Sequence, residues 1–319
     1  MYPKLAKKFF LSTYIQGGPR VSKTQLKTAL AIGCLVFIWG ISWPIYKAAL
    51  PFTPPLLFAG MRALMGGVLL AAFLLPTWKK VNWHENWRIY CIAALLNAIC
   101  FYGFQTVGLI FLPSGLFSVL VFFQPVLIAL FAWFWLGEQM SVLKMVGMIV
   151  GFLGILIISL DGFTGEISLI GVMVALLAAT SWALGTIYVK KESKRADALW
   201  MAALQFLIGG VILTIMGAVT ENLRDIVWNT PYLIGLVFGG VFGVTVAFTL
   251  YFRLINAGDA SKIASFTFLV PLIAVLTGAV FLNEPFTLTL LAGLILIVLS
   301  ITFVNFSGGN RKLKRKLTA

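Results

Sequence analysis

Long apolar runs separated by short polar connections dominate this chain. A helix rising about 1.5 Å per residue needs roughly 20 apolar residues to cross a hydrocarbon core about 30 Å thick. Ten stretches meet that requirement, at about 28–47, 55–76, 88–107, 113–135, 142–160, 168–189, 198–219, 231–252, 262–283 and 286–306. The segments between them hold nearly all the charge, with turn chemistry such as "PFTPP", "DGFTGE" and "SGGNRK". The pattern predicts an all-α integral membrane protein with ten transmembrane helices. No stretch reads as a soluble domain. No small-residue cleavage signature follows the first run, so that run is expected to be retained.

Composition agrees with lipid as the solvent. The 319 residues are 61% hydrophobic and only 11% charged, against about a quarter charged in a soluble chain. A net charge of +14 would suit nucleic acid, but Lys and Arg lie in short clusters between apolar runs, with no basic face interleaved with aromatics. Nucleic acid is therefore excluded as a partner. Cys34, Cys91 and Cys100 sit inside apolar runs, read as small buried hydrophobes.

The Lys and Arg positions also set an orientation, because cytoplasmic loops carry the excess. With ten spans, 21 of the 24 basic residues fall on one side, Lys47 and Arg224 fall on the other, and Arg62 lies within a span. Both termini are accordingly expected in the cytoplasm of a multi-pass plasma-membrane protein, with basic tails over residues 1–27 and 307–319.

The chain also repeats itself. Shifted by 146 residues, Phe122, Pro125 and Glu138 fall on Phe268, Pro271 and Glu284, and Gly147 falls on Gly293. A shift of 143 places Trp39 on Trp182, Lys47 on Lys190, and Gly66-Gly67 on Gly209-Gly210. The halves, 28–160 and 168–306, thus hold five helices each. Five is odd, so the second half enters the membrane from the opposite face, giving two inverted five-helix repeats. Such repeats characterise secondary transporters, whose site lies between the halves. Pro125 and Pro271 occupy equivalent places near mid-membrane, where a kink frees backbone carbonyls. They read as bends or hinges beside the substrate path, with fixed curvature for packing as the alternative.

Polar groups at mid-span need partners in hydrocarbon. Asn97, Gln124 and Thr245 are central, while Gln105, Ser118, Thr186, Gln205 and Tyr251 lie within a turn or two. Trp78, Trp83, Trp87, Trp200 and Trp228 fall at the interfaces that Trp prefers. Trp39 does not, which favours a cavity wall shared with Trp43 and Trp182. Arg62, about seven residues into the second run, either snorkels outward, caps carbonyls of a neighbouring helix or attracts an anionic substrate group. Glu138 and Glu284 each precede a helix, where a carboxylate complements first-turn amides. Gly235, Gly239 and Gly243, and Gly147 with Gly151, recur every four residues and let backbones approach. Contacts within the chain are the expected use, and both a monomer and a homodimer are compatible.

The sequences "FIWGISWPIYK", "PPLLFAGMR" and "QPVLIALFAWFWLGE" with its partner "VPLIAVLTGAVFLNE", together with the duplicated plan, resemble the EamA-type transporters of the drug/metabolite transporter superfamily. The resemblance covers about residues 28 to 306. It implies a central cavity moving small metabolites, often amino acids outward, with a pocket drawing on Trp39, Trp43, Asn97, Gln124, Trp182 and Thr245. The N-terminal tail is longer than this plan needs, as an upstream start codon would give. No H-E-x-x-H, G-x-S-x-G or P-loop is present, so the expectation is a transporter without metal or cofactor rather than an intramembrane enzyme. Efflux of aromatic or cationic amphiphiles is the second transport reading.

Overall fold

The computed structural model describes residues 23–111, 117, 120–159, 168–282 and 288–306. Ser118, Asp161, Glu166, Glu284, residues 113–116 of the fourth expected run and most of both tails lie outside them. Among the described residues the chain is helical and holds no strand. In chain order the helices are α1 (Lys23–Ala49), α2 (Pro55–Leu74), α3 (Trp83–Phe111), α4 (Gln124–Leu136), α5 (Val142–Ser159) and α6 (Leu169–Glu192). They are followed by α7 (Ala198–Thr220), α8 (Thr230–Ala257), α9 (Ala260–Phe266), α10 (Leu269–Leu282) and α11 (Leu288–Phe306).

Six helical runs are long and apolar enough to cross a membrane: Leu26–Phe52, Pro55–Val81, Trp83–Phe111, Leu169–Glu192, Ala198–Thr220 and Thr230–Ala257. The other four expected runs coincide with shorter apolar helices, Gln124–Leu136, Val142–Gly154, Ala260–Ala274 and Leu291–Val304. The outside of the bundle is apolar as well: Phe73 is 77% and Phe134 74% exposed. A surface of that kind suits hydrocarbon and not water, and the protein is an integral membrane protein.

Glycine decides where backbones touch. A Cβ on Gly60 would lie 2.5 Å from the Thr214 nitrogen, one on Gly67 2.5 Å from the Leu207 nitrogen, and one on Gly217 2.8 Å from the Leu57 nitrogen. Numbers rise on α2 as they fall on α7, so the two helices are antiparallel and in backbone contact along their length. A second seam joins α5 to α11 in the same sense, with Gly147 against Phe303 and Gly154 against the Gly293 carbonyl. With no hydrophobic drive between helices in lipid, such close van der Waals approach is a main source of association. Other contacts come in pairs: α2 meets α8 and α7 meets α3, α1 meets α10 and α8, and α6 meets α4 and α3. The glycines of α8 are spent inside the chain, Gly235 against Ala49 and Gly239 against Arg62 and Tyr46.

Four helices depart from regular geometry in matched places. α3 carries a π-helical turn at Leu95–Cys100 and α8 one at Gly239–Val246. The chain before Pro125 breaks into a turn at Phe122-Phe123, and α9 is parted from α10 at Thr267-Phe268. Both breaks are closed by short i→i−3 bonds, Phe123 to Leu120 and Phe268 to Ser265. Each proline therefore sits in the first turn of a new helix, where a missing N–H leaves no bond unmade. The bend precedes the proline rather than lying at it.

Carboxylates tie the ends of the bundle. Glu138 does not serve α5, the helix it precedes. It accepts from the Ala260 and Ser261 amides at the start of α9, from the Ser261 hydroxyl at 2.5 Å, and from Lys144 and Lys190 at 3.4 and 3.2 Å. At the other end Glu221, after α7, accepts from Leu56 and Leu57 at the start of α2, both at 2.8 Å. Trp200 stands in the first turn of α7. It is buried, with its indole N–H donating to Thr77 at 3.1 Å. Cys34 is exposed rather than buried, and all three cysteines are free.

Two outcomes follow. Gly210, whose Cβ would strike the Leu64 backbone, cannot become Leu without prising α2 from α7, so Gly210→Leu should lower stability in detergent by about 3 kcal/mol or more. Gly33→Leu, with nothing within 4 Å, should leave the melting temperature within a degree or two. Burial raises the Glu138 pKa, but the hydrogen bonds from Ser261 and Ala260 and the charges of Lys190 and Lys144 outweigh it, holding the carboxyl below its usual 4.5. A depressed folded pKa gives stability that is complete above the unfolded value and is lost as pH falls through the folded one. Glu138→Gln should cost about 1.5–3 kcal/mol at pH 7, and its deficit relative to wild type should shrink as the pH drops below 4.5. A deficit that does not change with pH would show that the charge contributes nothing.

Candidate functional site

The helix pattern around the middle of α1 sets up a cavity. Trp39, Trp43 and Tyr46 recur at intervals of four and three, so α1 presents them on one face. α2 adds Arg62, α3 adds Phe101, Tyr102 and Gln105 just beyond its π turn, and Phe122 comes from the break before α4. α6 contributes Trp182, and α8 contributes Gly243 and Phe248. These residues, with Ser42, line a narrow cavity of about 30 Å³, room for water-sized groups in this conformation and not for a whole ligand. The described lining includes no carboxylate.

Aromatic rings build the walls. Trp39 and Trp182 meet edge to face with centroids 5.2 Å apart, and Phe101 stacks on Trp182 at 4.7 Å. Phe122 closes on Trp43 at 6.3 Å and on Trp182 at 6.0 Å. Trp39 also lies 5.4 Å from Phe248 and 5.1 Å from Tyr251. Contacts of this geometry are worth about 0.5–1.5 kcal/mol each beyond burial, so the tryptophans are held in fixed orientation.

Arg62 is the charge in this lining. It is 1% exposed, so it does not snorkel outward. Its Nη2 donates to Gln105 Oε1 at 3.1 Å. Its Cζ stands 4.1 Å from the Tyr46 ring centroid, 4.7 Å from that of Tyr102 and 5.1 Å from that of Phe58. Desolvated cation–π contacts contribute up to about 2 kcal/mol each, which offsets part of the burial cost. Among the described residues Nε has no hydrogen-bond partner and no carboxylate pairs with Arg62. The Trp182 indole N–H is also unpartnered.

Of the residues expected in the pocket, Trp39, Trp43 and Trp182 line the cavity with Arg62, and Asn97, Gln124 and Thr245 lie behind it. Asn97, in the π turn of α3, donates to Gln205 Oε1 at 3.0 Å and fills the space left by Gly185. Gln124 donates to the Tyr251 hydroxyl at 3.1 Å, which lies 3.4 Å from Thr186 Oγ1. The Thr245 hydroxyl stands 3.0 Å from the carbonyls of both Gly66 and Gly240, fastening the π turn of α8 to α2. These three are polar struts between helices. The sequence reading missed Tyr46, Phe101, Tyr102 and Phe248 as lining residues. The 39-43-46 aromatic spacing, and the need of Arg62 for ring faces, were the available signals.

Comparison with known proteins agrees with this architecture. The EamA-like transporter family model matches the chain twice, over residues 26–160 and 169–306. The uncharacterized transporter YvbV of Bacillus subtilis is 53% identical over 281 residues, covering 88% of this chain and 92% of that protein. A probable amino-acid metabolite efflux pump of Salmonella typhimurium is 25% identical, covering 86% of this chain and 93% of the relative. A crystal structure of another protein, 18% identical, superposes with a TM-score of 0.76 over 92% of this chain and 99% of that one, so the fold is shared. The chain belongs to the EamA-like transporter family of the drug/metabolite transporter superfamily.

Proposed function

We propose that this protein is a secondary transporter that exports a small metabolite of the amino-acid type across the plasma membrane by alternating access. It does so as ten transmembrane helices in two inverted five-helix repeats, with both termini cytoplasmic. The observation that carries this reading is a ring-walled cavity to which both halves of the chain contribute, Trp39 from one and Trp182 from the other.

Further observations support the inverted arrangement. Repeat-equivalent helices α2 and α7 run antiparallel, as do α5 and α11, and the π turns and proline breaks fall at matched places. Two halves of opposite sense can exchange conformations about a fixed central site. The carboxylate ties suit that exchange. Glu138 of the first half holds α9 of the second, and Glu221 of the second holds α2 of the first. Breaking one tie while keeping the other would open the cavity to one side at a time, with Pro125 and Pro271 starting the helices that swing. The orientation rests on the basic residues, of which Lys80, Lys144, Lys190 and Lys262 stand at loop ends assigned to the cytoplasm. The name of the Salmonella relative supports amino-acid metabolites as cargo and export as the direction.

In proteoliposomes, counterflow of a labelled amino acid should fall about tenfold in Trp39→Ala and in Trp182→Ala, the equivalent of roughly 1.4 kcal/mol. The exposed Trp83→Ala should behave as wild type at equal reconstitution. Equal effects of all three would remove the ring-walled site. With no carboxylate in the described lining, flux at clamped membrane potential should be unchanged when a protonophore collapses the pH gradient. A collapse of flux would mean proton coupling.

A further inference from the structure

The cavity is unbalanced in charge and in hydrogen bonding. Its wall carries a buried guanidinium with an N–H at Nε that no acceptor among the described residues meets. The Trp182 indole N–H is a second donor without a partner. Leaving a buried donor unpaired costs about 1–3 kcal/mol, more when it is charged. Arg62 meets only ring faces and one neutral amide oxygen of Gln105. The acidic residue nearest along the contacts of α2, Glu221, spends both oxygens on the Leu56 and Leu57 amides and makes no ion pair with Arg62. What the lining lacks is an anionic acceptor, and what it offers beyond the guanidinium is ring surface.

We propose that the transported species is a small organic carboxylate: its anionic group seats on Arg62 beside Gln105, its apolar or aromatic body lies against Trp39, Trp43 and Trp182, and an amino group is not required. The planar fork of a guanidinium matches a carboxylate in two parallel bonds. In a buried site that pairing is stronger than at a surface, and it supplies the counter-charge that the described lining lacks. A ligand bearing only a positive charge meets Arg62 with no carboxylate to hold it, so cationic amphiphiles are rejected by repulsion. The inference rests on the transport reading for the word "transported", and on the cavity alone for binding.

The test separates the two. Purified full-length protein is titrated with three probes of one ring system: indole-3-propionate (carboxylate alone), tryptophan (carboxylate and amine) and tryptamine (amine alone). Melting temperature reports binding, because a ligand held only by the native state raises it. Indole-3-propionate and tryptophan should both raise it, and tryptamine should not. Arg62→Gln should weaken carboxylate binding at least tenfold. Because that variant removes ring contacts and could fold poorly, Gln105→Glu is the second. It places a carboxylate on the guanidinium without changing shape, so it should melt no lower than wild type yet lose at least tenfold in affinity for indole-3-propionate. Tryptamine binding as well as the acid, wild-type acid binding by Gln105→Glu, or no shift with any of these acids or with short and branched carboxylates would overturn the proposal. In counterflow, flux of tryptamine without flux of the acids would leave the transporter standing and sink the carboxylate site. Binding of the acids without flux would do the reverse.

Discussion

Where α2 crosses α7, peptide groups of one helix lie against peptide groups of the other, because Gly60, Gly67, Gly210 and Gly217 put nothing between them. Everything nearer the centre is positioned from this contact. α2 carries Arg62 and, through the Gly66 carbonyl, holds Thr245 and the π turn of α8. α7 carries Gln205, which holds Asn97 and the π turn of α3. In hydrocarbon an apolar side chain gains little by leaving lipid for protein, so close backbone approach and a few polar struts take the place of the hydrophobic effect. A methyl group at the seam would move both π turns and hence two walls of the cavity.

The π turns have a consequence for the site. A wider helical turn displaces the chain by part of a residue and turns the following side chains to a new face. In α3 this sets Phe101, Tyr102 and Gln105 on the cavity, and in α8 it brings the Gly243 backbone there, against the Tyr46 hydroxyl and 3.5 Å from the Trp39 indole nitrogen. Irregular backbone at membrane depth is tolerated where it faces protein or a cavity. Both turns obey that rule.

Polar groups divide between two duties. Asn97 bonds Gln205, and Gln124 bonds Tyr251 beside Thr186, across helices behind the rings, with one polar atom each of Asn97, Gln205 and Gln124 left over. Glu138 and Glu221 fasten helix starts at opposite ends of the bundle, each using carboxylate oxygens on amides that would otherwise be bare. Of the two buried cations among the described residues, Lys144 pairs with Glu138 and Arg62 has no carboxylate partner, and that sets Arg62 apart from the struts.

Much of this plan was written in the order of residues. The apolar runs, the rhythm of basic loops, the Phe-Pro-Glu echo and the Trp39–Trp182 equivalence are local or repeated features, and they pointed to a duplicated helical transporter with tryptophans in its cavity. Arg62 stood out because a charge inside an apolar run is costly. The sequence did not tell that Thr245, Asn97 and Gln124 are struts, that Tyr46 and Tyr102 face Arg62, or that Glu138 reaches Ala260, 122 residues further on. In a soluble helix the buried face is marked by hydrophobicity, but here the lipid-facing and core-facing sides are both apolar, so periodicity names the helix without naming its inner face. Which side chains meet is settled by the glycine seams and the helix breaks, whose effect exists only once the halves are packed together.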